Sequence, residues 1–325
     1  MKKQLLVASF VFLNIVLTRA QIAVKSFPIH AGLSLATSPN NIAIAGAADG
    51  LWRSYGVKPV ASAGANTDFA VNSYRLCANG LPEPAAPTIK AVIPNANGGQ
   101  KVWDKRYGGS DNDYVFSILA TSDGGYLLGG YSSSGQDGDK SEPSQGGTDY
   151  WVIKVDANGI KQWDKRFGGD GNDNLGELSV TADGCYLLAG TSTSGQSGDV
   201  SQPSQGNADY WLVKIDANGN KLWDKRFGGT NYDDVNTLSS TPDGGFLIGG
   251  PSYSGQGGDR SQPSQGDADY WVVKIDANGT KVWDRRFGGN DYDFLNSIIS
   301  TPDGGYILAG TSASGQNGDR SQPSQ

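Results

Sequence analysis

The hydrophobic pattern along the chain has a period of two residues and is interrupted by turn sequences at regular intervals. In the segment DYWLVKID, Trp211, Val213 and Ile215 alternate with Tyr210 and Leu212, so both faces of one extended strand carry apolar side chains. Asn-Gly and Asp-Gly pairs, which supply the positive φ angles of tight hairpins, recur between such segments. No segment keeps a helical period. The pattern therefore predicts short β-strands joined by hairpin turns.

The same pattern returns every 60 residues, with no insertion or deletion from Lys101 onward. Two sets of residues that keep this spacing are Trp103, Trp163, Trp223 and Trp283, and Asp113, Asp173, Asp233 and Asp293. Each unit is predicted to hold four strands, as in NLGELSVT (strand A), CYLLAGTS (strand B), DYWLVKID (strand C) and KLWDKRFGG (strand D). Short turns join A to B and C to D, whereas a long loop rich in Gly, Ser, Gln and Pro joins B to C.

Four antiparallel strands per unit, repeated at constant length, are typical of the blades of a β-propeller. One such sheet alone would leave two apolar faces in water, and stacking neighbouring blades face to face buries both. We therefore predict an all-β propeller in which the repeated tryptophans have a structural role and fill the space between blades. These tryptophans are Trp103, Trp151, Trp163, Trp211, Trp223, Trp271 and Trp283.

The residues on either side of the regular repeats are interpreted as parts of the same architecture. LSLATSPNNIAIAGAADG resembles strands A and B, TDFAVNSYRLCANG resembles strand C, and the Pro/Ala-rich LPEPAAPTIKAVIPNANGG is interpreted as an insert before strand D. Residues 21–100 are thus predicted to be a degenerate first blade, with an irregular linker as the alternative. Residues 101–325 are the propeller repeats. The last repeat stops inside its B–C loop, so we expect an incomplete propeller and a fragment of a longer protein.

The first 20 residues are typical of a secretory signal peptide. MKK gives a basic start, LLVASFVFLNIVL is an apolar run too short to span a bilayer comfortably, and TRA offers small residues for cleavage after Ala20. No later stretch is apolar enough for a transmembrane helix. The protein is therefore expected to be secreted or attached to the cell surface.

Composition and charge narrow the classes of partner. The formal net charge is −7, and loss of the signal peptide with its three cations brings it to about −10. Such an acidic protein is a poor nucleic-acid binder, because phosphate contacts need clustered Lys and Arg. The cysteines are Cys77 and Cys185. Export permits a bond between them, but Cys185 stands where other repeats have glycine, so the alternative is that the pair stays unlinked.

Three phrases, GGTNYDD, DGGYILAGTSASG and ADYWLVKIDANGNKLWDKRFGG, resemble the bacterial seven-bladed β-propeller (SBBP-type) repeat and the related delta-60 repeat. The resemblance covers residues 101–325 well and residues 31–100 weakly, and the B–C loop here is longer and richer in Gln and Ser. The signal peptide followed by Trp-rich repeats also resembles exported Bacteroidetes proteins, many of which carry a type IX secretion sorting domain. This resemblance implies an exported surface protein and says little about activity.

The connections between strands predict one face suited to binding. In an up-and-down blade the B–C loop and the D–A connection lie at the same end, and long loops on a rigid scaffold often carry binding. One hypothesis is that this acidic face binds Ca²⁺, which takes oxygen ligands, or binds glycan hydroxyls. The favoured alternative is that the aspartates only cap turns. The candidate residues are Asp139, Asp199, Asp259 and Asp319, together with Asp113, Asp173, Asp233 and Asp293.

Catalysis needs one unlike set of residues placed once, whereas this chain repeats the same set. The only histidine is His30, and neither a quinoprotein nor a sialidase pattern is complete. We therefore assign no catalytic and no cofactor-binding residue. The sequence favours an exported, non-enzymatic scaffold for surface binding or adhesion, with a glycan or a protein as partner. The alternative is a secreted carbohydrate-active enzyme whose catalytic residues lie in sequence missing from this chain.

The signal peptide gives a first test. When the chain is expressed in a bacterial host, the exported protein should begin at Gln21, because Ala20 precedes the predicted cleavage site. Leu13→Arg, which places a charge in the apolar run, should leave the uncleaved protein inside the cell. N-terminal sequencing and cell fractionation measure both. An exported protein that keeps Met1 would contradict the prediction.

Overall fold

A computed structural model describes residues 89–94, 101–301 and 303–322 as an all-β structure. Its strands are β1 (Ile89–Pro94), β2 (Lys101–Tyr107), β3 (Asp113–Ala120), β4 (Tyr126–Ser132), β5 (Asp149–Val155), β6 (Lys161–Phe167), β7 (Asp173–Val180), β8 (Tyr186–Ser192), β9 (Asp209–Ile215), β10 (Lys221–Phe227), β11 (Thr237–Ser240), β12 (Phe246–Ser252), β13 (Asp269–Ile275), β14 (Lys281–Phe287), β15 (Asp293–Ser300) and β16 (Tyr306–Ser312). Across these ranges, no helix has the length and apolarity needed to span a membrane.

The strands form a series of antiparallel sheets in which chain neighbours are hydrogen-bonded neighbours. Strands β3 to β6, β7 to β10 and β11 to β14 make three four-stranded blades, and β1–β2 and β15–β16 make two-stranded sheets. Each complete blade holds strands A to D in the predicted order. The described sheets do not close into a ring. The predicted all-β architecture of four-stranded blades is therefore confirmed.

The segment before the first regular blade differs from the sequence interpretation. Ile89–Pro94 falls inside the predicted insert, yet its backbone pairs antiparallel with β2, from Ile89 opposite Tyr107 to Val92 opposite Asp104. It thus occupies the place of strand C beside strand D. The alternation in IKAVIP suffices for pairing although the Asp-Tyr-Trp start of the other C strands is missing. Residues 67–80, interpreted as strand C, lie outside the described residues, as do the signal peptide, Cys77 and His30.

Strand A lies innermost in the stack and strand D outermost. The A strands of neighbouring blades contact one another, whereas most residues of strand D are only partly buried. Strand A also contains a β-bulge, because the pairing with strand B shifts between Val115 and Ser117 and between Leu175 and Glu177. A bulge bends its strand and re-aims side chains near the strand end. Here the bulge lies near the start of strand A, close to the long-loop end of the blade.

Both faces of a blade are buried, which explains why its strands carry apolar side chains on both sides. In the core between the first two complete blades, Tyr150 and Val152 of β5 pack against Trp211 and Val213 of β9. The hydroxyl of Tyr150 donates a hydrogen bond to the Trp211 carbonyl at 2.9 Å, and the two ring centroids lie 4.7 Å apart. Alternate residues of one strand therefore face the preceding and the following blade.

The next interface repeats this contact. Tyr210 donates to the Trp271 carbonyl at 3.0 Å, with ring centroids 4.8 Å apart. The indole nitrogen of each strand-C tryptophan also donates to an aspartate of its own strand D, at 3.0 to 3.1 Å. These pairs are Trp151 with Asp164, Trp211 with Asp224, and Trp271 with Asp284. The polar atom of each buried ring is thus satisfied.

The strand-D tryptophans lie at the outer rim of the interfaces and are half-buried. The Trp103 indole donates to the Ala157 carbonyl at 2.9 Å in the C–D turn of the next blade. Gly159 in that turn has a φ of 72°, and a β-carbon there would lie 3.0 Å from the Trp103 ring. Trp163 and Trp223 meet Gly219 and Gly279 in the same way. Glycine is therefore required by both the turn and the ring.

The interface predicts a graded loss of stability. Trp211→Ala removes a fully buried ring and should lower the free energy of unfolding by about 3–5 kcal/mol. Trp163→Ala removes a half-buried ring, so its loss should be smaller while remaining measurable. Urea unfolding followed by circular dichroism gives both values. A Trp211→Ala variant that unfolds at the wild-type urea concentration would contradict this role.

Candidate functional site

The long loops and the D–A connections lie together at one end of the blades, which we call the loop face. It comprises B–C loops 133–148, 193–208 and 253–268 and the connections that precede each strand A. Hydrogen bonds join the two kinds of segment: the Ser110 amide donates to Asp137 at 2.7 Å, and the Asn290 amide donates to Asn317 at 2.7 Å. The B–C loops and the D–A connections therefore form one hydrogen-bonded surface.

The four aspartates that begin strand A lie buried beneath this surface. The Asp173 carboxylate accepts a hydrogen bond from the Gly169 amide at 2.8 Å and one from the Ser194 hydroxyl at 2.7 Å. The corresponding glycine and serine donors bind the other three carboxylates. The four residues are Asp113, Asp173, Asp233 and Asp293. Each carboxylate ties the D–A connection to the start of the B–C loop.

The second set of aspartates binds the neighbouring glycine of the same connection. The Asp199 carboxylate accepts from the Gly168 amide at 3.3 Å and from the Arg166 guanidinium at 3.0 Å. The members of this set, Asp139, Asp199, Asp259 and Asp319, all accept the equivalent glycine amide. Consecutive glycines thus bring one aspartate of each set together, giving one such pair per repeat.

These contacts bear on the predicted calcium site. Within residues 89–94, 101–301 and 303–322, no group of three or more His, Cys, Asp or Glu side chains is arranged to hold a metal ion. A calcium ion would need carbonyl and amide oxygens of the loops in addition to one aspartate pair. The calcium assignment stays a prediction.

Neighbouring B–C loops are also linked to each other. The Gln205 side-chain amide donates to Asp259 in the next loop. Gly258, with a φ of 58°, allows this approach, since a β-carbon there would lie 2.2 Å from the Gln205 amide oxygen. Gln145 approaches Gly198 and Gln265 approaches Gly318 in the same way. The Pro-Ser-Gln-Gly sequence of one loop therefore fixes the Gly-Asp sequence of the next.

One buried charge is neutralised differently from repeat to repeat. Arg226 is buried and forms an ion pair with Asp209 at 3.1 Å. In the next repeat Arg260 takes this role, at 3.0 Å from Asp269, and Arg286 instead turns to the loop. The second repeat has Val200 at the position of Arg260. Because valine supplies no charge, Arg226 folds inward in its place.

The first repeat has neither of these ion pairs. Asp149 is buried, its Oδ2 accepts the Gln145 amide at 2.5 Å, and its Oδ1 has no hydrogen-bond partner. Burial raises the pKa of Asp149 to about 6, and the nearby Asp173 carboxylate adds to the rise. Lys140 and Arg166 oppose the rise only partly, because Lys140 donates to Ser134 and Ser144 and Arg166 binds Asp199.

The residues that differ between repeats were not identified as a site from the sequence. The gapless 60-residue unit lets most positions be compared across four repeats. The positions with unlike residues include three in the D–A connection and early strand A, and three from late strand B into the B–C loop. The first group is Ser110, Asp170, Thr230, Asn290; Asn112, Asn172, Tyr232, Tyr292; and Tyr114, Asn174, Asp234, Phe294. The second is Tyr131, Thr191, Pro251, Thr311; Ser133, Thr193, Tyr253, Ala313; and Asp137, Ser197, Gly257, Asn317.

The structure brings these two groups into contact on the loop face. The Tyr114 and Tyr131 rings lie 5.0 Å apart in the first repeat, and Ser197 donates to Asp170 at 2.8 Å in the second. Between the third and fourth repeats, Tyr232, Tyr253, Tyr292 and Phe294 form one set of contacting rings. The signal that could have identified them is the comparison of repeat positions. We call this last set the aromatic cluster.

Comparison with known proteins gives distant similarities. No protein-family model matches the chain. The chain is 26% identical over 243 residues to the regulatory protein FlaEY of Caulobacter vibrioides, covering 71% of this chain and 25% of FlaEY. It therefore spans about a quarter of the length of that curated relative.

Solved structures with related folds are more distant still. The Dos1 propeller has a TM-score of 0.39 at 10% identity, covering 68% of this chain and 44% of that chain. Proteins of unknown function from Bacteroides caccae and Dyadobacter fermentans have TM-scores of 0.39 and 0.40 at 10% and 14% identity. They cover 69% and 73% of this chain and 68% of each of those chains. The assignment as propeller-type blades rests on the stacked four-stranded sheets described above.

The unpaired Asp149 predicts a pH dependence of stability. Its pKa is raised from 3.8 to about 6 on folding, so the folded protein binds the proton more tightly and loses stability as pH rises through this window. Between pH 4.5 and 7.5 the wild type should lose about 2 kcal/mol relative to Asp149→Asn. Thermal unfolding across this pH range measures the difference.

Asp269→Asn is the matched control. It removes the partner of buried Arg260, so it should lower stability at neutral pH instead of raising it. If Asp149→Asn and wild type lose stability in parallel between pH 4.5 and 7.5, the assignment of this titration to Asp149 is wrong.

Proposed function

We propose that this protein is an exported, non-enzymatic scaffold of propeller-type blades that binds a surface ligand through its loop face. The observation that supports the proposal is where repeats agree and where they differ. Residues that pack the blades, such as Trp211 and Tyr210, recur in every complete unit. The unlike residues described above meet on the loop face instead, where a ligand can contact them without disturbing the interfaces.

The order of the loops also supports binding. The carboxylates of Asp173 and Asp199 and the amide of Gln205 hold the connections and loops in one arrangement. A surface that is already ordered loses little conformational entropy when it binds. Little of the binding free energy at this face would therefore be lost to ordering the loops, and the affinity would be higher.

The chemistry of the face indicates the kind of partner. The chain has 33 acidic and 26 basic residues and a formal charge of −7, which opposes binding of nucleic acid. Carboxylate, amide and hydroxyl groups suit a glycan or a protein. Calcium could bridge an aspartate pair and such a ligand. The predicted signal peptide would place this face outside the cell, where adhesion is the matching role.

The finer family assignment belongs to the same proposal. The glycine pair before an acidic cluster and the Asp-Tyr-Trp strand are similar to SBBP-type and delta-60 repeats of exported Bacteroidetes proteins. FlaEY is named as a regulatory protein, and the similarity covers a quarter of it. We favour the binding scaffold over the regulatory role, because the feature in hand is a repeated binding surface.

Site-directed labelling tests the loop face as the binding surface. In a background with Cys77→Ser and Cys185→Gly, a bulky maleimide-polyethylene glycol is attached to Asp267→Cys on a B–C loop or to Ala277→Cys on a C–D turn. Both positions are exposed and lie at opposite ends of one strand C. Binding is measured on immobilised glycans, extracellular proteins and whole cells, with and without Ca²⁺.

The expected result is loss of binding only with the loop-face label. The Ala277→Cys conjugate is the control for the bulk of the polymer, and both conjugates should keep the wild-type melting temperature. Equal binding by the two conjugates would place the surface elsewhere. Turnover of a bound glycan would show an enzyme and overturn the non-enzymatic assignment.

A further inference from the structure

The aromatic cluster is not required by the fold. At the position of Tyr232 and Tyr292 the first two repeats have Asn112 and Asn172, and in all four repeats the carbonyl of this residue accepts a backbone hydrogen bond from the B–C loop at 2.8 to 3.0 Å. At the position of Tyr253 the other repeats have serine, threonine or alanine. The same D–A connection thus forms with small polar residues, so packing does not explain the rings.

The rings form a platform that is partly open to solvent. Tyr253 lies at the centre, with its centroid 6.3 Å from Tyr232, 6.4 Å from Tyr292 and 6.3 Å from Phe294. Tyr232 is 37% and Tyr292 is 42% exposed, whereas Tyr253 and Phe294 are half-buried. Phe294 stacks on Tyr292 with an interplanar angle of 6°. The two exposed rings, Tyr232 and Tyr292, lie on adjacent blades and pack against the two half-buried rings, Tyr253 and Phe294.

The backbone fixes the platform in place. The Tyr253 amide donates to the Tyr232 carbonyl at 2.9 Å, and the Tyr292 amide donates to the Asp291 carboxylate at 2.8 Å. Tyr232 and Tyr292 also form backbone bridges to Ala208 and Ala268. Tyrosine itself has few rotatable bonds, so rings held this way present area at low entropic cost.

The groups around the rings are polar and neutral or acidic. Asn231 is exposed and donates to the Tyr253 carbonyl at 3.3 Å, and the carboxylates of Asp234 and Asp291 lie beside the cluster. The cation that follows Tyr253 in its loop, Arg260, is buried and paired with Asp269. This surrounding suits a ligand that has apolar faces and many hydroxyl groups, and opposes an anionic one.

We propose that the aromatic cluster binds a neutral glycan, with pyranose rings stacked on Tyr232 and Tyr292 and hydroxyl groups hydrogen-bonded to Asn231 and Asp291. This inference rests on the proposed function, since it names the ligand class of the loop face. A protein partner fits less well, because a stable protein interface buries about 1,200–2,000 Å², whereas the cluster exposes parts of two rings. An amphipathic sugar ring matches both the size and the chemistry.

The test uses substitutions that the repeat already tolerates. Tyr232→Asn with Tyr292→Asn restores the residue of the first two repeats, so the fold should be unchanged. Ile160→Asn is the matched control, because it replaces an exposed apolar side chain on a C–D turn by the asparagine found at that position in the second repeat. The mature chain and both variants are titrated with cellohexaose, mannohexaose and laminarihexaose, and with a heparin hexasaccharide as the anionic probe. Melting temperature reports on the fold.

We expect the mature chain to bind at least one neutral hexasaccharide and not the heparin probe. The double variant should weaken this binding about tenfold or more, as loss of aromatic anchors does, whereas Ile160→Asn should change it less than twofold. Absence of binding to all three neutral probes, preference for heparin, or equal affinity of the double variant would overturn the proposal. If the loop-face label blocks a protein ligand that the double variant still binds, this inference fails and the proposed function stands.

Discussion

The contact on which the structure depends is the one between Tyr150 and Trp211, repeated by Tyr210 and Trp271. Each blade has two apolar faces, and strand C contributes buried side chains to both. The tyrosine hydroxyl needs a partner once it is buried, and it donates a hydrogen bond to a backbone carbonyl of the next blade. This contact therefore fixes the distance and register between blades and buries both faces. The loops at the end of the stack inherit their relative positions from it.

The loop end of the blade adds a second constraint, because the first residue of strand C is a buried aspartate in each blade. These residues are Asp149, Asp209 and Asp269. A buried carboxylate is costly unless a cation or several donors compensate it. Asp209 and Asp269 have cations, but from different places: Arg226 on strand D and Arg260 in the loop. Charge compensation is thus kept while the residue that supplies it changes. Asp149 has no such ion pair, and burial raises its pKa to about 6.

Much of the fold could be predicted from the sequence, because the same pattern of strands and turns recurs in every 60-residue unit. The period of two, the Asp-Gly and Asn-Gly turns and the constant spacing locate the strands within one or two residues, except that strand A of the third blade begins only at Thr237. Ile89–Pro94 was missed because it lacks the Trp and Tyr that mark strand C elsewhere. The inward position of Arg226 could not be predicted from strand D alone, since it depends on Val200 in the B–C loop of the same blade. The aromatic cluster joins residues up to 62 positions apart, which only the stacked blades bring together.

The division between agreeing and differing positions has a physical basis. A change at Trp211 alters two blades and costs packing on both, so such positions are held alike in all units. A change at Tyr232 alters an exposed ring, and asparagine at the same place in the first two repeats still accepts the backbone hydrogen bond from Ser133 or Thr193 of the B–C loop. The stack thus separates the residues that provide stability from those that are free to contact a ligand. Aromatic rings can then accumulate at one junction between blades, as they have between the third and fourth repeats, without weakening the interface that holds those blades together.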